Sequence, residues 1–239
     1  MTSTQTTRRS TTGARYGYSD LPHLISLMTG DEKHSFAATS TLDVMWVLYN
    51  RVLNVSPATI DDPVRDRFYL SKGHGPMAYY ATLAAKGFIP VEWLEGWTSY
   101  ESPLGQHPDR NLVPGVEISS GSLGHGLPLA AGTTLGLRAQ GIDSRVVVLV
   151  GDAELDEGSN HEAVEVAGAL GLEALTVVVV DNMSSTYNRP GRIEQRFATE
   201  GWSAVAVDGR DHAEIELALK QPTPGRPSVV VAHVEEKYL

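Results

Sequence analysis

The sequence predicts an α/β protein with a doubly wound, mostly parallel sheet flanked by helices. Two continuous apolar runs, at residues 146–150 and 175–180, have the length and β-branched composition of strands buried on both faces. A helical pattern at residues 159–170 separates them, so the three segments make one parallel βαβ unit. Residues 204–207 and 228–232, with a helical stretch between them, repeat this alternation and extend the sheet.

The earlier part of the chain contributes helices and long loops. Apolar residues recur at three- and four-residue spacing between residues 41 and 53, which predicts an amphipathic helix. Further helices are expected at residues 77–86, 92–99 and 127–140. Between residues 61 and 126 the chain is dense in Gly, Pro and His, so loops carry much of this region, and loops on a rigid scaffold commonly carry function.

Composition excludes several classes of partner. A net charge of −10 offers no attraction to nucleic acid or to an anionic bilayer, so small molecules and protein are the expected partners. No apolar run approaches the ~20 residues needed to cross a membrane. The chain has no cysteine, which excludes disulfides, thiolate nucleophiles and zinc–sulfur sites and fits the cytoplasm as its location.

The chain is expected to form one domain. Residues 1–18 are rich in Ser, Thr and Arg without an apolar stretch, and they are expected to be a flexible tail. No internal repeat or linker divides residues 19–239.

Polar residues follow both of the long apolar runs. Asp152 comes just after the first run and Asn182 just after the second, thirty residues later. Ligands bind at the carboxyl ends of strands in open parallel sheets, and one βαβ unit brings these two ends together. Carboxylate and amide oxygens are ligands suited to Mg²⁺ or Ca²⁺, with room for phosphate oxygens. Taken singly, the two residues also suit a helix cap and a turn, and their spacing leaves nucleotide-phosphate binding open.

The segment GDAELDEGSNHEA, followed by VVVVDN, resembles the thiamine diphosphate motif of the transketolase family. The resemblance implies the thiamine-diphosphate-binding fold known as the PP-type domain for residues 19–239. It implies that Asp152, Asn182 and the backbone carbonyl of Ser184 bind the metal ion. It also implies a contact with the cofactor diphosphate along the start of the motif, at Gly151, Asp152, Ala153 and Glu154. Glu157, with Glu162 as a second candidate, corresponds to the family's carboxylate network at the dimer interface.

Three further segments resemble the same family and extend the likeness over most of the chain. SKGHGPMAYYATLAAKGFIP implies that His74 lies near the diphosphate and thiazolium. PLGQHPDRNLVPGVEISSGSLGHG implies that His107 lines the active site and that the backbone of Gly121 and Leu123 contacts the aminopyrimidine. EKHSFAATS places His34 at a catalytic-site histidine. Histidine titrates near neutrality, which suits all three histidines to substrate binding or proton transfer.

Two departures from the family pattern affect the expected site. Ala153 stands where the family has glycine, and its methyl group is expected to narrow the permitted backbone and the approach of the diphosphate. Phe36, Ala37 and Ala38 replace a glycine-rich pattern after His34, so the substrate end of the pocket is expected to differ from that of a sugar transketolase.

The resemblance covers the family's first domain, whereas the glutamate that activates the cofactor lies in the second. A second subunit with the pyrimidine-binding and C-terminal domains is therefore expected, in an α2β2 assembly. The leading hypothesis is a thiamine-diphosphate- and magnesium-dependent subunit that moves a two-carbon ketol unit from a ketose to an aldehyde. One alternative is a subunit of a thiamine enzyme that uses a 2-oxo acid, by decarboxylation with carboligation or acyl transfer. The other is a non-catalytic scaffold that kept the fold.

Overall fold

The computed structural model describes most of the chain. The described residues are 16–29, 39–73, 75–187, 189–221 and 223–236. Most of the expected flexible tail, residues 1–15, lies outside them, while Tyr16 and Tyr18 at its end pack against the core. His34 and His74 also lie outside the described residues.

The described chain contains one five-stranded sheet in which every pair of neighbouring strands is parallel. The strands lie in the spatial order β1-β2-β3-β5-β4. Their bounds are Arg67–Leu70 for β1, Val146–Gly151 for β2, Leu175–Asp181 for β3, Ser203–Asp208 for β4 and Ser228–His233 for β5. Because all neighbouring strands are parallel, each connection between paired strands must cross over the sheet. This confirms the predicted doubly wound class.

Strands β2, β3 and β5 form the centre of the sheet and are almost entirely buried. Val148 and Val150 contact one layer of helices, while Val147 and Leu149 contact the opposite layer. This alternation follows from the two-residue period of a strand. It explains why these strands are continuous apolar runs rather than alternating polar and apolar sequences, since neither face meets water.

Seven α-helices in the described chain cover the two faces of the sheet. They are α1 Leu21–Ser26, α2 Leu42–Val47, α3 Pro76–Ala85, α4 Gly126–Ala139, α5 Gly158–Ala169, α6 Arg192–Thr199 and α7 His212–Leu219. Helices α1, α2, α3 and α7 pack on one face, and α4, α5 and α6 pack on the other. None of these helices is long and apolar enough to span a bilayer.

Shorter helical turns complete the fold and refine two predictions. The predicted helix at residues 41–53 is present, but its second half, Leu48–Val52, is a π-helical turn. The stretch predicted as a helix at residues 92–99 is a 3₁₀ helix, Val91–Gly96, which ends before Trp97 turns to extended backbone. Two more 3₁₀ turns are present. Tyr18–Asp20 lies just before α1, and Ala153–Asp156 follows β2.

Candidate functional site

The carboxyl ends of β1, β2 and β3 lie side by side at one edge of the sheet. Ser71 follows β1, Asp152 follows β2 and Asn182 follows β3, and all three are at most 4% exposed. The backbone amides of Ser71 and Lys72 both donate to Leu149 of β2, so the loop after β1 is held against β2. The structure therefore brings together the polar segments that the sequence places after separate strands.

Asp152 is hydrogen-bonded to the segment that follows Asn182. The Ser184 hydroxyl donates to Asp152 Oδ1 at 2.7 Å, and the Ser185 amide donates to Asp152 Oδ2 at 2.9 Å. The Ser185 hydroxyl donates to Asp156 at 2.8 Å, which ties the same segment to the 3₁₀ turn after β2. These bonds hold the Asp152 carboxylate in one orientation and fix the two strand ends relative to each other.

Asn182 has a buried side chain with one unsatisfied atom. Its Oδ1 is inaccessible to solvent and has no hydrogen-bond partner in the structure. The next residue, Met183, has a left-handed backbone with φ of 55°, held by its amide donating to Asp181 Oδ1 at 3.0 Å. Such a conformation is unfavourable for a non-glycine residue, and strain of this kind concentrates at functional sites.

Asp181 lies between these residues and the end of β5. Burial raises the pKa of the Asp181 carboxyl above its usual value, and the negative charge of Asp152 adds to this effect. Asp181 Oδ2 lies 3.1 Å from Nδ1 of His233, and this contact favours the ionised carboxylate. A cation near Asp152 would lower the cost of holding these carboxylates close together.

The residues at this edge fit a hard divalent cation. Asp152 offers a buried carboxylate, and Asn182 offers a buried amide oxygen that lacks any other partner. Buried polar atoms are nearly always hydrogen-bonded, and a bound ion at this strand end is one partner that would satisfy the Asn182 oxygen. The described residues contain no group of three His, Cys, Asp or Glu side chains arranged to hold a metal. An ion here would complete its shell with backbone, water or phosphate oxygens, as Mg²⁺ commonly does.

Glu154 is buried beneath the same edge. Its carboxylate accepts hydrogen bonds from the Ser71 hydroxyl, from the Gly124 amide at 3.0 Å and from the Gly151 amide at 3.4 Å. Burial raises the pKa of the Glu154 carboxyl, while these donors and the nearby charge of Lys72 act in the opposite direction. The residue is 2% exposed, so its side chain lies within the protein rather than on the open surface of the site.

A second group of predicted residues assembles around the loop before α4. A Cβ atom built on Gly121 would lie 2.9 Å from the His107 ring, and one built on Gly73 would lie 3.1 Å from the Leu123 side chain. Gly121 has φ of 120°, a conformation that glycine alone adopts without strain. The absence of a side chain at Gly121 thus lets the His107 ring approach the loop before α4, and its absence at Gly73 lets Leu123 approach the loop that leads to residue 74.

Ala153 lies in an ordinary backbone conformation. It is the first residue of the 3₁₀ turn Ala153–Asp156 and is exposed. Thr98 and Met183 are the non-glycine residues with positive φ in the described chain, so Ala153 keeps a conformation open to any L-residue. This conformation is compatible with the narrower range of backbone angles that alanine has relative to glycine, so that part of the expectation stays a prediction. A narrowed approach of the diphosphate to the methyl group stays a prediction.

The remaining predicted residues lie at the rim. Glu157 and Glu162 are both exposed or partly exposed, at the start and on the outer face of α5. Three residues with a clear structural part in the site were not singled out from the sequence: Ser71, Lys72 and Ser185. Their signal is positional, since each lies within four residues of a strand's carboxyl end, but β1 is too short to be recognised from its sequence.

Fold and site together define a doubly wound α/β domain whose candidate site lies at the carboxyl ends of parallel strands, where such sheets bind ligands. Residues 29–234 match the family model described as "Transketolase, thiamine diphosphate binding domain". The chain belongs to the transketolase family and corresponds to this domain.

Several relatives support the assignment. The chain is 35% identical over 210 residues to an apulose-4-phosphate transketolase subunit from Actinobacillus succinogenes, covering 84% of this chain and 75% of that protein. It is 32% identical over 206 residues to the 6-deoxy-6-sulfo-D-fructose transketolase subunit SqwG of a Clostridium species, covering 83% and 75%. It is also 56% identical over 220 residues to a Rhodococcoides fascians protein named Ferredoxin fas2, covering 92% and 72%. Because this chain has no cysteine, the usual ligand of iron–sulfur clusters, that name gives no guide to its chemistry.

Solved structures show the same fold. Transketolase from Leishmania mexicana superposes with a TM-score of 0.75 at 26% identity, covering 91% of this chain. A transketolase mutant from Pichia stipitis superposes with a TM-score of 0.78 at 24% identity, which supports the fold alone. The chain spans 36% of the length of each of these transketolases.

Proposed function

We propose that this chain is the thiamine-diphosphate- and magnesium-binding subunit of a two-component transketolase-like transferase. In the proposed reaction a two-carbon ketol unit moves from a ketose donor to an aldehyde acceptor. The bound cofactor would supply the nucleophilic carbon that takes up this unit. The protein would supply binding, orientation and the placement of protons.

The observation that carries the proposal is that the unpartnered oxygen of Asn182 and the ordered carboxylate of Asp152 follow the ends of two paired strands. These two side chains would bind Mg²⁺ together with the backbone carbonyl of Ser184. The cation would in turn hold the cofactor diphosphate against the backbone at Gly151 and Ala153. Every protein donor in this set is an oxygen, which matches the preference of Mg²⁺.

The other predicted residues would act on the organic parts of the ligands. The backbone of Gly121 and Leu123 would contact the aminopyrimidine, and His107 is placed against that loop by its approach to Gly121. We propose that His34, His74 and His107 bind substrate hydroxyls or transfer protons. Histidine as a residue type can accept or release a proton, which suits such a role.

A partner subunit would complete the active site. Two relatives that the chain matches over three quarters of their length are named as transketolase subunits, and this supports a split arrangement. We propose that the partner carries the pyrimidine-binding and C-terminal domains in an α2β2 assembly. Glu157 and Glu162, at the solvent-facing side of α5, would join the carboxylate network at the subunit interface. We keep the cytoplasm as the expected location.

The names of the relatives favour a sugar donor over a 2-oxo acid. One relative is named for apulose 4-phosphate and another for 6-deoxy-6-sulfo-D-fructose, both sugars that carry an anionic group. We therefore propose a ketose with an anionic end as the donor. A 2-oxo acid remains the second candidate for the assay.

The decisive experiment combines the purified chain, thiamine diphosphate and Mg²⁺ with a separate protein that carries transketolase pyrimidine-binding and C-terminal domains. Ketose phosphates, a sulfonated ketose and pyruvate would be compared as donors with one aldehyde acceptor. We expect ketose consumption in the mixture, none with either protein alone, and none with the Asp152→Asn variant.

Each other outcome of this assay has a distinct meaning. Turnover by the isolated chain would remove the need for a partner, and preferential use of pyruvate would support the 2-oxo acid alternative. If the mixture shows no magnesium-dependent binding of thiamine diphosphate, the chain is a scaffold.

A further inference from the structure

One buried carboxylate links three separate loops at the site. We propose that Glu154 is a positioning residue, which sets the geometry of the three loops expected to contact the cofactor and does not itself contact it. The resemblance to the family places Glu154 among the cofactor-binding residues, and the hydrogen bonds give it a different part. The inference rests on the proposed function for the identity of the ligand, but not for the links among the loops.

The two oxygens of Glu154 are already used by the protein. Oε1 accepts from the Ser71 hydroxyl and from the Gly124 amide at 3.0 Å, and Oε2 accepts from the Gly151 amide at 3.4 Å. A carboxylate with several internal donors is a stable link, because hydrogen bonds to an ionised group are stronger than neutral ones.

The link extends beyond the carboxylate on both sides. The Gly126 amide, at the start of α4, donates to the Ser71 hydroxyl oxygen at 3.0 Å, so a chain of bonds runs from α4 through Ser71 to Glu154. The Asn160 side chain donates to the Glu154 backbone carbonyl at 2.6 Å, which anchors the turn to α5. The Ser159 hydroxyl donates to the Gly124 carbonyl at 2.7 Å, so α5 also holds the loop before α4.

Each linked loop leads directly to a residue of the proposed site. Ser71 is three residues before His74, Gly124 follows Leu123, and Gly151 precedes Asp152. Ser71 and Gly124 lie 83 and 30 residues from Glu154 along the chain, so no local structure fixes their positions relative to it. Catalytic geometry depends on positions held within a fraction of an ångström, and supporting hydrogen bonds provide this. The hydrogen bonds of Glu154 therefore fix the positions of the three loops relative to one another.

The proposal is tested with Glu154→Gln, Glu154→Ala and Ser71→Ala in the full chain. Glu165→Ala serves as the matched control, because Glu165 is an exposed residue of α5. Glutamine keeps the size of Glu154 but replaces one acceptor oxygen with an NH₂ group. This group would face the hydrogen-bond donors that now bind the carboxylate, so at least one of these bonds is lost. The first measurement is hydrogen exchange, without cofactor, of peptides that contain residues 71–73 and 121–126. We expect faster exchange in both peptides for the Glu154 and Ser71 variants and no change for the control.

The second measurement uses the chain assembled with its partner. We expect Glu154→Gln to raise the KM for thiamine diphosphate about 10-fold or more, the usual effect of losing a group that orients a ligand. The kcat at saturating cofactor should stay within about twofold, since bound cofactor restores the loop positions by its own contacts. A purely structural defect would instead reduce the amount of folded enzyme, which lowers apparent kcat and leaves KM unchanged.

Several results would overturn the inference. Wild-type exchange in both peptides for Glu154→Gln would show that the loops do not depend on this carboxylate, and so would faster exchange spread evenly over the whole chain. If Glu154→Ala does not fold, Glu154→Gln and Ser71→Ala still decide the matter. Failure of the proposed function would appear differently, as an absence of thiamine diphosphate binding by the wild-type assembly. The cofactor-free exchange measurement would remain valid in that case.

Discussion

The Ser184 hydroxyl donates a 2.7 Å hydrogen bond to Asp152 Oδ1 and thereby joins the ends of β2 and β3. The two residues are 32 positions apart in sequence, and the whole of α5 lies between them. Their contact follows from parallel pairing, because β2 and β3 run in register and end at the same edge. The same bond, together with the Ser185 amide on Oδ2, holds the Asp152 carboxylate in one orientation.

Replacing Asp152 with asparagine should abolish most of the magnesium-dependent cofactor affinity while leaving the fold intact. The amide keeps the shape of the carboxylate and can still accept from Ser184, but it lacks the charge that attracts the cation. We expect the affinity for thiamine diphosphate with Mg²⁺ to fall about 100-fold, since even groups that support a ligand contribute about 10–100-fold. Calorimetric titration of the assembled enzyme measures this. Asp143→Asn, before the opposite end of β2, is the control.

Asn182→Ala should weaken cofactor binding without much change in the unfolding free energy of the metal-free chain. The Asn182 Oδ1 is buried without a partner, and an unsatisfied buried group costs about 1–3 kcal/mol. Removing it should offset the packing lost with the side chain, so we expect the unfolding free energy of the metal-free chain to change by less than about 1 kcal/mol. Added Mg²⁺ and thiamine diphosphate should stabilise the wild-type assembly against heat but not the variant. A variant that keeps the full ligand-induced stabilisation would exclude Asn182 as a ligand.

Two glycines of α4 should respond to alanine in opposite directions. A Cβ on Gly126 would lie 2.3 Å from the Ser71 side chain and 3.1 Å from its Cα, so Gly126→Ala must displace the loop after β1. We expect it to destabilise the chain by about 1–3 kcal/mol, the usual cost of overpacking. A Cβ on Gly132 meets nothing within 4 Å, so Gly132→Ala should stabilise by about 0.5–1 kcal/mol. Urea unfolding of the pair measures both effects, and equal shifts would contradict the close approach at Ser71.

The sequence is informative about the fold where burial is continuous. Strands β2, β3 and β5 are predicted because neither face meets water, so their sequences are unbroken apolar runs. Strand β1 is not predicted because it has four residues and begins with an arginine. Helix α6 is missed because Ile193 and Phe197 are its buried residues, and one pair four residues apart is a weak periodic signal.

The candidate site likewise has features that can be predicted from the sequence and features that cannot. Asp152 and Asn182 can be anticipated because strand ends in a parallel sheet converge, and this follows from topology alone. The role of Glu154 cannot be anticipated, because two of its three donors, Ser71 and Gly124, come from distant loops whose approach depends on the packing of α4 and α5. The orphaned oxygen of Asn182 is likewise a property of the folded chain, since only coordinates show that no donor reaches it.

Stability at high pH should report on the tyrosines that pack between α2, α3 and the neighbouring loops. Burial raises the pKa values of Tyr49, Tyr79 and Tyr80 above the ordinary value of about 10. Because the folded pKa is higher than the unfolded one, the folded chain keeps these protons longer. Their contribution to stability is therefore complete below about pH 10 and is lost as the pH rises through the folded values.

We expect the unfolding free energy to fall above pH 10 by up to about 1.4 kcal/mol per pH unit for each such tyrosine. Tyr80→Phe should make this fall shallower, because it removes one phenol whose hydroxyl donates to the Gly105 carbonyl at 3.1 Å. That carbonyl keeps a second donor in the Trp97 indole, so the variant leaves no acceptor unsatisfied. Tyr100→Phe, at a fully exposed tyrosine, should leave the slope unchanged. Urea unfolding at a series of pH values measures the slopes, and the same slope for Tyr80→Phe and wild type would mean that Tyr80 titrates as freely in the folded chain as in the unfolded one.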